Sequence, residues 1–236
     1  MKFTERQKKL RKRLMEVVFK ANASHIGSSI SVIDIIDSIF EIKSSEDRFV
    51  LSNGHAAAAY YVVLEKNNYL KNIDLNTLGV HPDRDLKKHI HVSTGSLGQG
   101  LPIALGMALA DKKKTIYCLI SDGECAEGSI WEALRVYQQE APNNLKIVVS
   151  VNGWGAYDKI SSRDLKKRFT GFGLKVVSIN GHDQNQIVTS LKEKYDKPTL
   201  FFAKTNSDQL PFLKDLVAHY HSMSEEEYQL AVKKFS

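Results

Sequence analysis

Chemistry in this chain concentrates in two short segments. Ser121-Asp122-Gly123-Glu124 closes the apolar run 115–121, and Asn152-Gly153-Trp154-Gly155 closes the apolar run 145–152. Asp122 and Asn152 each offer a side-chain oxygen at the end of an expected strand, and the glycines beside them let the backbone turn tightly or approach a ligand. Their separation, 152 − 122 = 30 residues, is about one βαβ unit, which sets the two oxygens on neighbouring strand ends. A helix that begins a few residues after Asp122 offers backbone N–H groups to an anion. Oxygen ligands of this kind suit a hard cation such as Mg²⁺, whose remaining positions are filled partly by phosphate oxygens. Asp-Gly and Asn-Gly are, each alone, ordinary turn signatures; a Mg²⁺–diphosphate site is what the pair implies together.

The elements that must position these residues are legible from periodicity. Residues 5–22 place Leu10, Leu14, Val17, Val18 and Ala21 at helical spacing, so a helix enters first. Ser31 is placed as the cap of a second helix, VIDIIDSIFEI. Residues 48–52 read as a short strand, 54–66 as a buried alanine-rich helix and 98–112 as a small-residue helix opened by glycines. From there strand and helix alternate: strands at 115–121, 145–152, 174–180 and 199–205, helices at 127–141, near 162–170 and at 185–195. Ser224 and Glu227 form a capping box for a last helix. The strands are continuous apolar runs, as expected of strands buried on both faces. The fold class is therefore α/β, a parallel sheet with helices on both faces, in one domain over 1–236. Right-handed crossovers bring the loops after the strands to one edge, and that edge is where ligands bind.

Composition narrows the function classes. The chain has 236 residues, 42% hydrophobic and 25% charged, with a net charge of +6 and pI near 9.1. Much of the positive excess sits in the run KFTERQKKLRKR; it reads as a solvated helix face rather than a nucleic-acid or membrane surface. No apolar stretch approaches the roughly 18–20 residues of a membrane span, and the N-terminus has no apolar signal region, so the expectation is the cytoplasm. Cys118 lies in an apolar run and Cys125 follows the acidic motif; their spacing suits neither a metal nor a disulfide framework. Of the eight histidines, His89, His91 and His182 read as structural, while His25, His55 and His81 sit in Gly-, Ser- or Pro-containing loops of the kind that carries function. Trp131, Ala133, Leu134 and Tyr137 read as a core stripe.

The stretch from Asp122 to Asn152 resembles the thiamine diphosphate motif of transketolases, Gly-Asp-Gly followed some thirty residues later by Asn, with Ser121 in place of the first glycine. Further segments match in order: ASHIGSSIS at 23–31, LSNGHAAAAYY at 51–61, His81-Pro82, TGSLGQGLPIALGMALA at 94–110, GHD at 181–183 and the tail AHYHSMSEEEY. The resemblance implies that thiamine diphosphate is bound through Mg²⁺ (or Ca²⁺ or Mn²⁺ in its place), with Asp122, Asn152 and the main-chain carbonyl of Trp154 as metal ligands. It places Gly123 against the diphosphate, and Gly95, Ser96 and Leu97 against the aminopyrimidine and thiazolium. Glu127 falls on the glutamate that couples paired cofactors at the subunit interface. His25, His55, His81 and His219 fall on the histidines that serve substrate and proton transfer. Ala218 stands where the tail's tryptophan is expected, which makes His221 a rival to His219.

What the resemblance implies about activity is transfer of a two-carbon ketol unit from a ketose, or ketose phosphate, to an aldose-type acceptor. The glutamate that activates the cofactor belongs, in this family, to a second, pyrimidine-binding domain. The chain closes at Ser236 without it. The expectation is a separate C-terminal transketolase subunit, joined with this one in a two-plus-two heterotetramer, and no activity without that partner. Other subunits of the same broad kind, deoxyxylulose-phosphate synthase-like or 2-oxo acid dehydrogenase-like, and a non-catalytic regulatory subunit stay open at this point.

Overall fold

The computed structural model describes residues 2–236, with Val217 and His219 described through their backbone alone. Five parallel strands form one sheet in the order β1-β2-β3-β5-β4: β1 (Arg48–Leu51), β2 (Ile116–Ser121), β3 (Leu145–Val151), β4 (Lys175–Asn180) and β5 (Thr199–Lys204). Side chains alternate across the sheet, as strand geometry requires. Phe49, Leu51, Tyr117, Leu119, Val148 and Phe201 point into one core with α1 (Glu5–Lys20), α2 (Ile26–Ile42) and α3 (Ala57–Lys66). Val50, Cys118, Ile120, Ile147, Val149 and Phe202 point into the other, with α5 (Gly100–Ala110), α6 (Gly128–Glu140) and α7 (Ser162–Gly171). The short α4 (Leu75–Leu78), α8 (Gln184–Lys192), α9 (Val217–Tyr220) and α10 (Glu225–Lys234) complete the chain. The expected α/β architecture with helices on both faces is what the chain adopts. Among the described residues no helix is long and apolar enough to cross a membrane.

Two local expectations are corrected. Ser31 does not cap a helix. The second helix starts at Ile26 with His25 at its N-cap in the left-handed region, φ 65° and ψ 26°. Ser31 lies inside it, its hydroxyl donating to the Gly27 carbonyl at 2.7 Å; a serine can return a hydrogen bond to the preceding turn instead of starting a helix. The basic first helix is also not simply solvated. Arg11 is fully buried in a two-pronged bond to Asp34, 2.9 and 2.5 Å, and donates to Gln209 at 2.8 Å. Arg6 reaches Asp37 and Glu41, and Arg13 reaches Glu65. Carboxylates from α2 and α3, distant in sequence, decide this, and periodicity of one segment does not reveal them. The capping box at Ser224 and Glu227 is present, and a second one at Thr4 and Gln7 opens α1.

The loop from α4 to α5 carries a buried titratable group. His91 Nδ1 lies 2.9 Å from the His89 carbonyl, so Nδ1 carries the proton. Burial, with Arg48, His89, Lys43 and Arg84 nearby, pushes its pKa down to about 4. The unfolded chain takes up this proton near the ordinary value of about 6.5, whereas the folded chain resists until about 4. The unfolded state therefore binds more protons in that window, and stability falls as pH drops through it. His91→Asn, which keeps a donor for the His89 carbonyl, is expected to flatten this part of the acid limb. Thermal unfolding of both chains at pH 7 and pH 4.5 checks it; equal losses in both would contradict it.

Candidate functional site

The ends of β1, β2 and β3 open into a cleft of about 250 Å³ at the carboxyl edge of the sheet. Of the residues singled out in the sequence, His25, His55, His81, Gly95, Leu97, Asp122, Gly123, Asn152 and Trp154 all line it. Ser96 is exposed and does not line the cleft. Glu127 is exposed too, as the N-cap of α6. The side chain of His219 lies outside the described residues, although its helix α9 contributes Ala218 and Tyr220 to the cleft. His221 is bonded to Glu227 at 2.7 Å at the start of α10 and does not line the cleft.

The cleft gathers oxygens at the ends of β2 and β3. Asp122 is 2% exposed; its two oxygens accept from Gly123 N–H at 3.1 Å and Gly153 N–H at 2.8 Å. Burial pushes its carboxyl up to about 7, against the pull of these backbone donors. Asn152 Oδ1 accepts from Trp154 N–H at 2.9 Å, an Asx turn that holds the loop. A Cβ on Gly123 would stand 3.4 Å from Gly155 Cα and 3.9 Å from the Trp154 carbonyl oxygen, so it would fill the gap between the two loops. Among the described residues no cluster of three His, Cys, Asp or Glu side chains could hold a metal. Asp122, Asn152 and the Trp154 main chain would instead offer one carboxylate, one amide oxygen and one carbonyl. An all-oxygen set with a single negative charge fits a hard cation that brings phosphate oxygens with it, and such a cation draws the buried carboxyl back to its ionised form.

The cleft also gathers imidazoles. The His25 ring lies 5.4 Å from that of His55, 6.4 Å from that of His81 and 6.0 Å from the Tyr220 ring. His25 Nδ1 is 2.9 Å from the Ser24 hydroxyl. A non-glycine residue in the left-handed region is uncommon and clusters at functional positions; here it turns the chain out of α1 and into α2 with the ring at the cleft. Gly95 makes the close approach to His81 possible. Its φ is +144°, and a Cβ there would lie 2.9 Å from the His81 ring.

His182, read as structural, is structural: Asn206 N–H donates to its Nε2 at 3.0 Å, so the proton sits on Nδ1, 2.7 Å from Asp34. The residue that sequence reasoning missed is Glu124. Its side chain is fully buried behind the cleft. Oε1 accepts from the Ser52 hydroxyl at 2.6 Å and from Gly98 N–H at 3.0 Å, while Oε2 accepts from Ser121 N–H at 3.0 Å. Burial pushes its carboxyl up and these donors pull it back. One carboxylate thus ties together the loop before His55, the loop after Gly95–Leu97 and the strand end that carries Asp122. The only hint in the sequence is an acidic residue two places after Asp122, without visible partners.

The chain as a whole is similar to described proteins. The family described as "Transketolase, thiamine diphosphate binding domain" matches residues 4–208. One of the subunits of an "Apulose-4-phosphate transketolase", from Phocaeicola vulgatus, is 32% identical over 259 residues, covering 97% of this chain and 92% of that protein. A "6-deoxy-6-sulfo-D-fructose transketolase subunit" of Clostridium sp. (strain MSTE9) is 30% identical, covering 94% of this chain and 92% of its own length. The crystal structure of a transketolase from Campylobacter jejuni superposes with a TM-score of 0.82 at 26% identity, over 98% of this chain but 42% of that one. The chain therefore spans nearly all of the two relatives named as subunits and about two fifths of the Campylobacter chain.

Glu124→Gln keeps the shape of the clamp but turns an amide NH₂ towards a site where only donors converge. Leaving buried donors unmatched costs about 1–3 kcal/mol. The substituted chain is expected to lose that much stability in urea unfolding at pH 7. A change below the precision of the measurement would show that the three donors do not depend on the carboxylate.

Proposed function

Because this chain belongs to the transketolase family, by its thiamine diphosphate binding domain, we propose that it is the cofactor-anchoring subunit of a two-component enzyme. That enzyme moves a two-carbon ketol unit from a ketose bearing an anionic group to an aldose-type acceptor. The observation that carries the reading is one cleft lined both by the oxygen-bearing Asp122 and Asn152 and by three imidazoles. Bound thiamine diphosphate supplies the carbon nucleophile that breaks and remakes the sugar C–C bond. Asp122, Asn152 and the Trp154 carbonyl hold the Mg²⁺, and the space kept open by Gly123 receives the diphosphate. Gly95 and Leu97 line the way from there towards the histidines, with Ser96 at the rim. His25, with Ser24 on its Nδ1, passes protons to and from the sugar oxygens, as a positioned imidazole can in general acid–base catalysis. His55 and His81 hold the donor hydroxyls, and His219, on α9, completes the set. Metabolites of this charge do not cross membranes unaided, so the enzyme works in the cytoplasm with its substrates.

A second subunit supplies the pyrimidine side of the cofactor, and the working particle is a two-plus-two heterotetramer. Support comes from the subunit naming of relatives that match this chain end to end. The helix α5 also supports it. GLPIALGMALA has no polar side chain on any face, yet Ile103 is 41% exposed and Gly106 and Ala110 are exposed beside it. A helix apolar all round is a buried helix, and a partner chain covering this face fits that pattern. Glu127, exposed at the neighbouring N-cap of α6, lies at the same interface and links the paired sites.

Two experiments test this. Asp122→Asn removes the metal's charged ligand but also a buried carboxylate that has no cationic neighbour. Calorimetry is expected to show Mg²⁺-dependent thiamine diphosphate affinity at least 100-fold weaker, while the cofactor-free chain unfolds at the same temperature or higher; unchanged affinity would sink the site. Ile103→Glu is expected to cut assembly with the partner tenfold or more in sedimentation, with the circular dichroism of the chain unchanged. Full assembly of that variant would remove α5 from the interface.

A further inference from the structure

Three buried side-chain atoms among the described residues have no hydrogen-bond partner: Ser29 Oγ, Asn53 Oδ1 and Asn144 Oδ1. Of the three residues only Asn53 lines the cleft. It is 1% exposed. A buried amide oxygen without a donor carries the desolvation cost of the lost bond, and a native protein retains such an atom chiefly where something else completes it.

The position says what that is. Asn53 follows β1, while Asp122 ends β2 and Asn152 follows β3. β2 stands between β1 and β3 in the sheet, so the oxygen ligands lie towards one side of the cleft and Asn53 towards the other, two residues before His55. It lines the same cleft as His25, His55 and His81. Its backbone is held independently of any ligand: the Asn53 carbonyl accepts from Ala56 N–H at 2.9 Å, and Ser52 is bonded to Glu124. The side chain is therefore delivered to a fixed place with its acceptor unused. Turning the amide over would exchange an unused acceptor for an unused donor. A hydroxyl group can serve either orientation, since it donates and accepts.

We propose that Asn53 is a further sugar-recognition residue: its side-chain amide bonds a hydroxyl of the ketose held among the three histidines, and makes the enzyme select for sugars that carry that hydroxyl. This rests on the two-carbon transfer reading above. A site built to bond a hydroxyl discriminates against the analogue lacking it, because the buried group is then left unpaired.

The test uses the chain assembled with its pyrimidine-side partner, and whichever of D-xylulose 5-phosphate and D-fructose 6-phosphate the wild-type pair consumes faster. Asn53→Leu, nearly the same shape without polar atoms, is expected to lower kcat/KM for that ketose by about 10- to 100-fold, the scale of one lost substrate hydrogen bond. The dissociation constant for thiamine diphosphate should stay within twofold of wild type, a readout that a general disturbance of the loop would move. In a series of singly deoxygenated analogues of that ketose, one analogue should be used equally well by wild type and variant, because the bond is already missing. Asn53→Leu within twofold of wild type on the ketose overturns this inference alone, as does a series in which no analogue erases the difference. Consumption of neither ketose by the wild-type pair removes the transfer reading and this inference with it.

Discussion

A single buried carboxylate holds the working edge of this molecule in one piece. Loops at the ends of parallel strands have no ladder of their own to fix them, and they meet only at their tips. Glu124 supplies the missing common point, since the Ser52 hydroxyl, Gly98 N–H and Ser121 N–H all donate to it. A neutral acceptor has too few lone pairs in the right places, and a longer-range contact would leave the loops free to slide. Because every partner is a donor, the clamp favours the ionised carboxylate that burial opposes. The positions of His55, of Gly95 to Leu97 and of Asp122 all inherit their precision from it.

A second buried polar cluster does the same for the helices. Arg11 on α1, Asp34 on α2, His182 after β4 and Gln209 after β5 are joined within one network. Gln209 also donates to the Ile30 carbonyl of α2 at 3.1 Å. The network fixes α2 against the sheet, and α2 begins at His25. Burying charges is costly unless each has its partners; here the guanidinium is met by Asp34, Gln209 and the Gln7 carbonyl, and the carboxylate by Arg11 and His182. Glu124 thus fixes the loops that carry His55 and Asp122, while the Arg11 network fixes the helix that begins at His25.

Fold class was legible because each strand is an apolar run and each helix an amphipathic or small-residue one, and these signals are local. The pairing of Asp122 with Asn152 was legible for the same reason: in alternating α/β chains, strand ends meet at one edge whatever the details of packing. The clustering of His25, His55 and His81 was not visible from spacing, since the three lie on different loops, and it entered through resemblance of whole segments. Ser31 misled because serine suits both a cap and a back-bonded helix interior, and the helix start at Ile26 with the Ser31 hydroxyl bonded back to Gly27 distinguishes them.

By itself, then, the sequence determined the parallel α/β architecture, the strand-end placement of Asp122 and Asn152, and the capping of the last helix, all of which follow from residue types within a few positions of one another. Tertiary structure alone decided that Arg11 is buried, that Glu124 is the clamp, that Gly95 must lack a side chain to seat His81, and that Asn53 ends with an unused acceptor at the cleft. Each of these depends on which atoms from remote segments share one small volume, and hydrogen-bond satisfaction in that volume has no signature along the chain.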